Sequence, residues 1–191
     1  MSQETKNVQA SFPSGNKYRG EWSDGQANGH GIMTFPNMDK YDGDWENGMM
    51  NGFGKYSCYD ESKDSYTSFY EGDFVNDMKE GVGMMHFPDG SVYNGQWQAN
   101  VRCGDGIIVF PNGKVFHGLW QQDKMLRGVL SLKNGDKYDG EFVDGLYDGY
   151  GKYFWSDGRW YEGLWKQGKI DKGTIFFPDG KFAEVENGQV Q

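Results

Sequence analysis

The side chains that most often carry catalysis are few here and poorly placed for it. His30, His86 and His117 fall at different phases of the strand pattern, with no Ser–His–Asp arrangement that would activate a nucleophile. Cys58 and Cys103 have no Cys or His partner at zinc-ligand spacing. Glycine pairs such as Gly29 and Gly31 would suit a phosphate cradle only where a strand runs into a helix, and these lie within strand-like segments. No catalytic residue, cofactor site or metal site is assigned, and the chain reads as a non-enzyme. What does recur is an aromatic ring two residues before a glycine, with a second ring two residues after it. The chemistry this offers is recognition, by large flat apolar groups carrying polar tips.

The pattern appears as Tyr18-Gly20-Trp22, Tyr41-Gly43-Trp45, Tyr70-Gly72-Phe74, Tyr93-Gly95-Trp97, Phe116-Gly118-Trp120, Tyr138-Gly140-Phe142 and Tyr161-Gly163-Trp165. Each ring alternates with a polar or small residue, which is the period of a strand with one apolar face. A turn signal follows, such as Ser23-Asp24-Gly25-Gln26, then a second alternating run ending near Pro or Asn-Gly. Each unit is therefore a β-hairpin. Glycine weakens a strand unless something must approach its backbone. The further glycines Gly29 and Gly31, Gly52 and Gly54, Gly81 and Gly83, Gly104 and Gly106, and Gly149 and Gly151 lie on the ring face, and are expected to leave room for rings of neighbouring strands. Pairs collapse to one glycine at Gly128 and Gly173.

Seven hairpins plus a terminal strand, in which Glu184 stands where a glycine is expected, predict about 15 strands and a sheet about 70 Å long at ~4.8 Å per strand. The expected fold is all-β: an elongated single-layer antiparallel sheet of stacked hairpins, twisted and curved. The array spans residues 12–185, between a flexible tail at 1–11 and a second tail at 186–191. The anchors are 23, 29, 23, 23, 22 and 23 residues apart. The long step is read as a loop insertion at 57–68, whose Asp60, Glu61 and Asp64 near Tyr59, Tyr66 and Phe69 form a secondary contact candidate.

Aromatic content of 17% in a chain of 191 residues argues against disorder. A formal charge of −9 removes the basic footprint that nucleic acid requires. It also disfavours anionic membrane, so a peripheral module binding acidic phospholipids is the alternative rather than the leading reading. No apolar run is long enough to span a bilayer. Two cysteines at unrelated points of the repeat point to free thiols in a reducing, cytoplasmic setting. A single layer is expected to leave some rings accessible. Tyr18, Trp22, Tyr41, Trp45, Tyr70, Tyr93, Trp97, Trp120, Tyr161 and Trp165 are the candidate protein-binding residues, lining a groove for a helix or extended segment of another protein. Homodimerisation through the open edge or the shared face is left open.

The Tyr-x-Gly-x-Trp runs followed by Gly-x-Gly resemble the MORN (membrane occupation and recognition nexus) repeat, over residues 12 to about 185. The resemblance implies antiparallel hairpins in an elongated twisted sheet and a non-catalytic scaffold. Relatives of this kind occur in radial spokes of motile cilia and in basal or cytoskeletal assemblies. It therefore implies protein partners and a cytoskeletal or axonemal setting.

Overall fold

The computed structural model describes residues 5–191, and all their regular elements are β-strands. The chain divides into two compact units, Met1–Val101 and Arg102–Gln191. In the first, β1 (Lys6–Ser11), β2 (Lys17–Ser23), β3 (Gln26–Thr34), β4 (Lys40–Glu46), β5 (Met49–Asp60), β6 (Ser65–Val75), β7 (Met78–His86) and β8 (Val92–Gln98) pair antiparallel in chain order. The second holds all but the first residue of β9 (Val101–Val109) and continues through β10 (Val115–Gln121), β11 (Lys124–Ser131), β12 (Lys137–Val143), β13 (Leu146–Phe154), β14 (Trp160–Lys166), β15 (Lys169–Phe176), β16 (Phe182–Glu186) and β17 (Gln189–Val190). These too are paired antiparallel with their chain neighbours. Each unit is an open single-layer meander of hairpins, as the alternation and turn signals require.

The register places glycine opposite glycine. Gly20, Gly31, Gly43, Gly54, Gly72, Gly83 and Gly95 form one continuous row across the first unit. Gly106, Gly118, Gly128, Gly140, Gly151, Gly163 and Gly173 form the second. The rows exist because a ring lies over each. A Cβ on Gly31 would overlap the Tyr18 ring, and one on Gly54 or Gly83 the rings of Tyr41 or Tyr70.

Five expectations change. The tail at 1–11 is strand from Lys6 onward: Val8 pairs with Gly20 and Ala10 with Tyr18, so β1 fills the donors and acceptors that β2 would otherwise leave open. Residues 1–4 lie outside the described part. The insertion at 57–68 is no loop but a longer hairpin, with Ser57–Asp60 paired to Ser65–Phe69 around a turn at 61–64. The C-terminal segment folds back as β17 on Val185 and Glu186. With β1 and β17 the strands number 17 among the described residues, not 15. Glu184 does not take the place of a glycine. Val185 faces Gly173 and is buried, while Glu184 lies on the other face.

Candidate functional site

Each repeat tyrosine is held at both ends. Its hydroxyl donates to the carbonyl three residues on: Tyr18 to Glu21 at 2.6 Å, Tyr41 to Asp44 at 2.9 Å, Tyr70 to Asp73 at 3.0 Å, Tyr93 to Gln96 at 3.0 Å, Tyr138 to Glu141 at 2.9 Å and Tyr161 to Leu164 at 2.8 Å. Burial raises the phenols of Tyr18, Tyr41, Tyr70 and Tyr138 above their usual range, with neighbouring carboxylates adding to the effect. Tyr161 is pushed up to about 12. The phenols therefore stay protonated and keep donating. The following Trp or Phe meets its own tyrosine edge-on, as in Tyr41–Trp45 at 5.1 Å, and also the tyrosine of the preceding hairpin, as in Tyr18–Trp45 at 5.7 Å and Tyr138–Trp165 at 5.4 Å. Indole N–H groups tie hairpins together: Trp45 donates to Gly31 O and Trp97 to Gly83 O at 3.0 Å, Trp120 to Gly106 O at 3.2 Å and Trp165 to Gly151 O at 3.3 Å. Burying one such ring is worth about 2–3 kcal/mol.

This comb of rings covers itself. Of the ten candidate binding rings, Tyr18, Tyr41, Trp45, Tyr70, Tyr93, Trp97, Trp120, Tyr161 and Trp165 are buried. Trp22 alone is half-buried, stacked on Phe12 at 6.0 Å. The accessibility expected of a single layer is absent because each tyrosine lies flat on its glycines and is walled by two neighbouring rings. A Cβ on Gly31, Gly54, Gly83 or Gly151 would strike a tyrosine ring, whereas one on Gly29, Gly52, Gly81 or Gly149 would meet the side chain of Glu21, Asp44, Asp73 or Glu141, so these last four do not make room for rings.

Beside the rings sits a backbone device that the sequence reading missed. Between Gly20↔Gly31 and Trp22↔Ala27, one residue of β2 (Glu21) faces three of β3 (Asn28, Gly29 and His30). The same two-residue bulge occurs at Asp44 against Asn51–Phe53, Asp73 against Glu80–Val82 and Glu141 against Asp148–Tyr150. The bulged glycine takes positive φ, +88° at Gly29 and +103° at Gly52, a conformation that suits glycine. The amide after it leaves the ladder and is taken by the facing carboxylate: His30 N by Glu21 at 3.4 Å, Phe53 N by Asp44 at 3.3 Å, Val82 N by Asp73 at 3.4 Å and Tyr150 N by Glu141 at 2.8 Å. In β10–β11 and β14–β15 the bulged glycine is missing. Only one extra residue remains, Leu126 or Asp171, and the facing position is Leu119 or Leu164. An acid eight residues before a glycine, replaced by Leu where that glycine is lost, was the available signal.

The opposite face of each sheet is open. In the first unit it carries His30, Asp42, Asp44, Lys55 and Glu71, cross-linked by His30–Asp42 at 3.3 Å and Lys55–Glu71 at 3.5 Å. Phe69 there lies between Lys55, 3.8 Å from its centroid, and His86, stacked at 4.2 Å. In the second unit this face exposes Leu119, Tyr150, Phe154, Leu164 and Phe182, as the first exposes Phe53 and Val82. The second unit's lysines sit beside carboxylates, Lys152 on Glu162 and Lys172 on Glu186. The secondary contact candidate is ordered within its hairpin: Tyr59 meets Tyr66 edge-on at 5.4 Å and bonds Asp64, and Tyr66 reaches Met38 O at 3.2 Å. Cys58 and Cys103 form no disulfide. Among the described residues no group of His, Cys, Asp or Glu could hold a metal ion, and no helix is long and apolar enough to cross a membrane.

The MORN repeat model matches residues 18–39, 41–63, 70–92, 93–115, 138–158 and 161–182. The hairpin it passes over starts at Phe116 and lacks both the tyrosine hydroxyl and the bulged glycine, yet β10–β11 forms all the same. No curated protein matches the sequence. Among solved structures, the TCP domain of Drosophila melanogaster SAS-4 (dCPAP), in complex with a proline-rich motif of Ana2 (dSTIL), has a TM-score of 0.51 at 12% identity, covering 95% of this chain and 90% of that one. The TCP10 domain of Danio rerio CPAP, in complex with a peptide of Danio rerio STIL, is 17% identical with a TM-score of 0.33, covering 95% and 99%. The first likeness is one of fold alone.

Proposed function

Because this chain belongs to the MORN-repeat family, we propose that it is a non-catalytic platform that binds an extended or helical segment of another protein, within a cytoskeletal assembly such as a ciliary axoneme. The observation that carries this reading is the division of labour between the two faces. Rings and glycines consume one face as core, which stiffens a layer only one strand thick. The other face is left free along each unit and, in the second, presents exposed apolar side chains that a protein partner can cover. The complex of the similarly folded SAS-4 domain with a proline-rich motif supports a peptide as occupant. The rings first considered as contacts, Trp97 and Trp120 among them, hold the platform, and Trp22 is the one still open to a partner.

The test is proximity labelling in cells followed by cross-linking of the intact complexes through Lys152, Lys172 and Lys181. Cross-links from these lysines to one segment of a cytoskeletal or axonemal protein are the expected result. Complexes without cytoskeletal proteins would reject the setting. Absence of any specific cross-linked protein would reject the platform.

A further inference from the structure

We propose that the open face of β13–β16 docks a proline-rich segment in polyproline II conformation, with a basic residue beside its prolines and its axis across the strands. This rests on the platform reading and names the chemistry of its occupant. Phe154, Trp160, Phe176 and Phe182 are direct cross-strand neighbours, opposite in phase to the buried Tyr153–Tyr161 side. They form a four-ring ladder open to solvent, 40% exposed at Phe154 and 66% at Phe182.

The ladder is not evenly filled. Trp160 and Phe176 are closed on each other, with centroids 4.0 Å apart and planes 10° from parallel. Phe154 stands off from Trp160 at 6.2 Å and 22°, and Phe182 makes no ring contact among the described residues. The rings are therefore spaced more widely between β13 and β14, where Lys152 Nζ leans over Trp160 at 5.6 Å from its centroid, and between β15 and β16. Two strand spacings separate these wider gaps, about 9.6 Å. One turn of polyproline II is three residues and about 9.3 Å, so prolines at i and i+3 would lie over the two gaps in step.

The occupant's backbone is constrained as well. A sheet face offers no ladder of amides and carbonyls, so an added β-strand would lose its hydrogen bonds here. Polyproline II needs none, its backbone being fully solvated. Polarity sets the charge. Two residues on from Trp160 and Phe182 along their strands lie Glu162 and Glu184, on the same face. Glu162 is matched by Lys152 at 3.1 Å. Glu184 accepts from Thr174 Oγ1 at 3.2 Å and has no ion-pair partner among the described residues. It is the acid left for a Lys or Arg of the segment. The other margin of the ladder is formed by the turns around Gly158 and Gly180, whose charges are already matched, Arg159 by Asp157 and Lys181 by Asp179, each at 2.8 Å.

The full chain is titrated with a library of Pro-Xaa-Xaa-Pro dodecapeptides carrying one flanking Arg, followed by tryptophan fluorescence and calorimetry. A control library has the prolines replaced by Ala. Saturable binding by library members, at least tenfold tighter than their Ala controls, is expected. It should weaken at least tenfold in Phe182→Ser and about threefold in Glu184→Gln, with Trp160→Phe losing the fluorescence change. Phe182 is so exposed that its variant should melt with the wild type, which separates lost binding from lost folding. The proposal is overturned if no proline library member binds better than its Ala control. It is also overturned if Phe182→Ser binds as tightly as wild type, or if this variant instead abolishes self-association, making the ladder's occupant a second copy. Should these peptides fail while cross-links to a cytoskeletal partner persist, the ladder reading falls and the platform stands.

Discussion

The two units are each built on the same kind of core and differ in the face they leave open. Residues 1–101 carry 7 Lys and Arg against 15 Asp and Glu, a net of −8, while residues 102–191 carry 12 against 13, a net of −1. Part of this contrast traces to the backbone. In the first unit the hairpins β2–β3, β4–β5 and β6–β7 have the two-residue bulge, and each needs a carboxylate to take its stranded amide. In the second, β10–β11 and β14–β15 have the shorter bulge. No stranded amide calls for an acid, and leucines exposed by 43% and 45% stand there. Losing one glycine thus releases a surface position from a hydrogen-bonding duty, and a leucine stands there, while β12–β13 in the same unit keeps the longer bulge and its Glu141. At these bulges the surface side chain follows from the number of extra residues in the hairpin, a carboxylate opposite three residues and a leucine opposite the shorter bulge.

Three measurements test what the units have in common and where they differ. The largest effect should be common to both units. Gly31→Ala and Gly140→Ala each drive a methyl into a tyrosine ring and should cost about 3 kcal/mol by overpacking, read from urea unfolding. A cost below about 1 kcal/mol in either would show that its glycine row is not required. A second shared effect is alkaline unfolding. The phenols of Tyr18, Tyr41, Tyr70, Tyr138 and Tyr161 have raised folded pKa values, so their stabilisation is complete below the unfolded value near ~10 and is lost as pH rises through the folded values. Tyr161, at about 12, is the first of these with a defined point. Circular dichroism from pH 8 to 12.5 should show stability falling only above about 10. A decline setting in near neutrality would contradict the buried phenol network.

The smallest effect separates the units. Asp44→Ala should strand the Phe53 amide and cost about 1–2 kcal/mol, whereas Leu164→Ala, on the exposed equivalent, should stay within about 0.5 kcal/mol. Thermal melts of the two variants decide it. Equal losses would mean that the carboxylate has no special task at the bulge.

Most of the core could be read from spacing. Tyr18, Gly20 and Trp22 repeat with a period that only stacked hairpins satisfy, and a glycine on a ring face marks the place where a neighbouring ring must lie. The single glycines at 128 and 173 were also visible, though their consequence was not, because a bulge is a property of two paired strands. β1 was missed because Val8 and Ala10 alternate over too few residues to stand out, and their strand character comes from the partner β2 offers. The insertion after Gly54 was misread for the same reason: Asp60, Ser62 and Asp64 look like loop, yet the residues on either side pair and extend the hairpin.

Chain order alone determined the hairpins, the rings and the glycines, since each is set by local period and by the volume a side chain does or does not occupy. Which face stays open was decided only by folding. Burial of Tyr41 or Trp97 depends on rings brought from other hairpins. The Phe154–Trp160–Phe176–Phe182 ladder joins residues from four strands, and cross-strand register makes neighbours of side chains that no stretch of sequence places together.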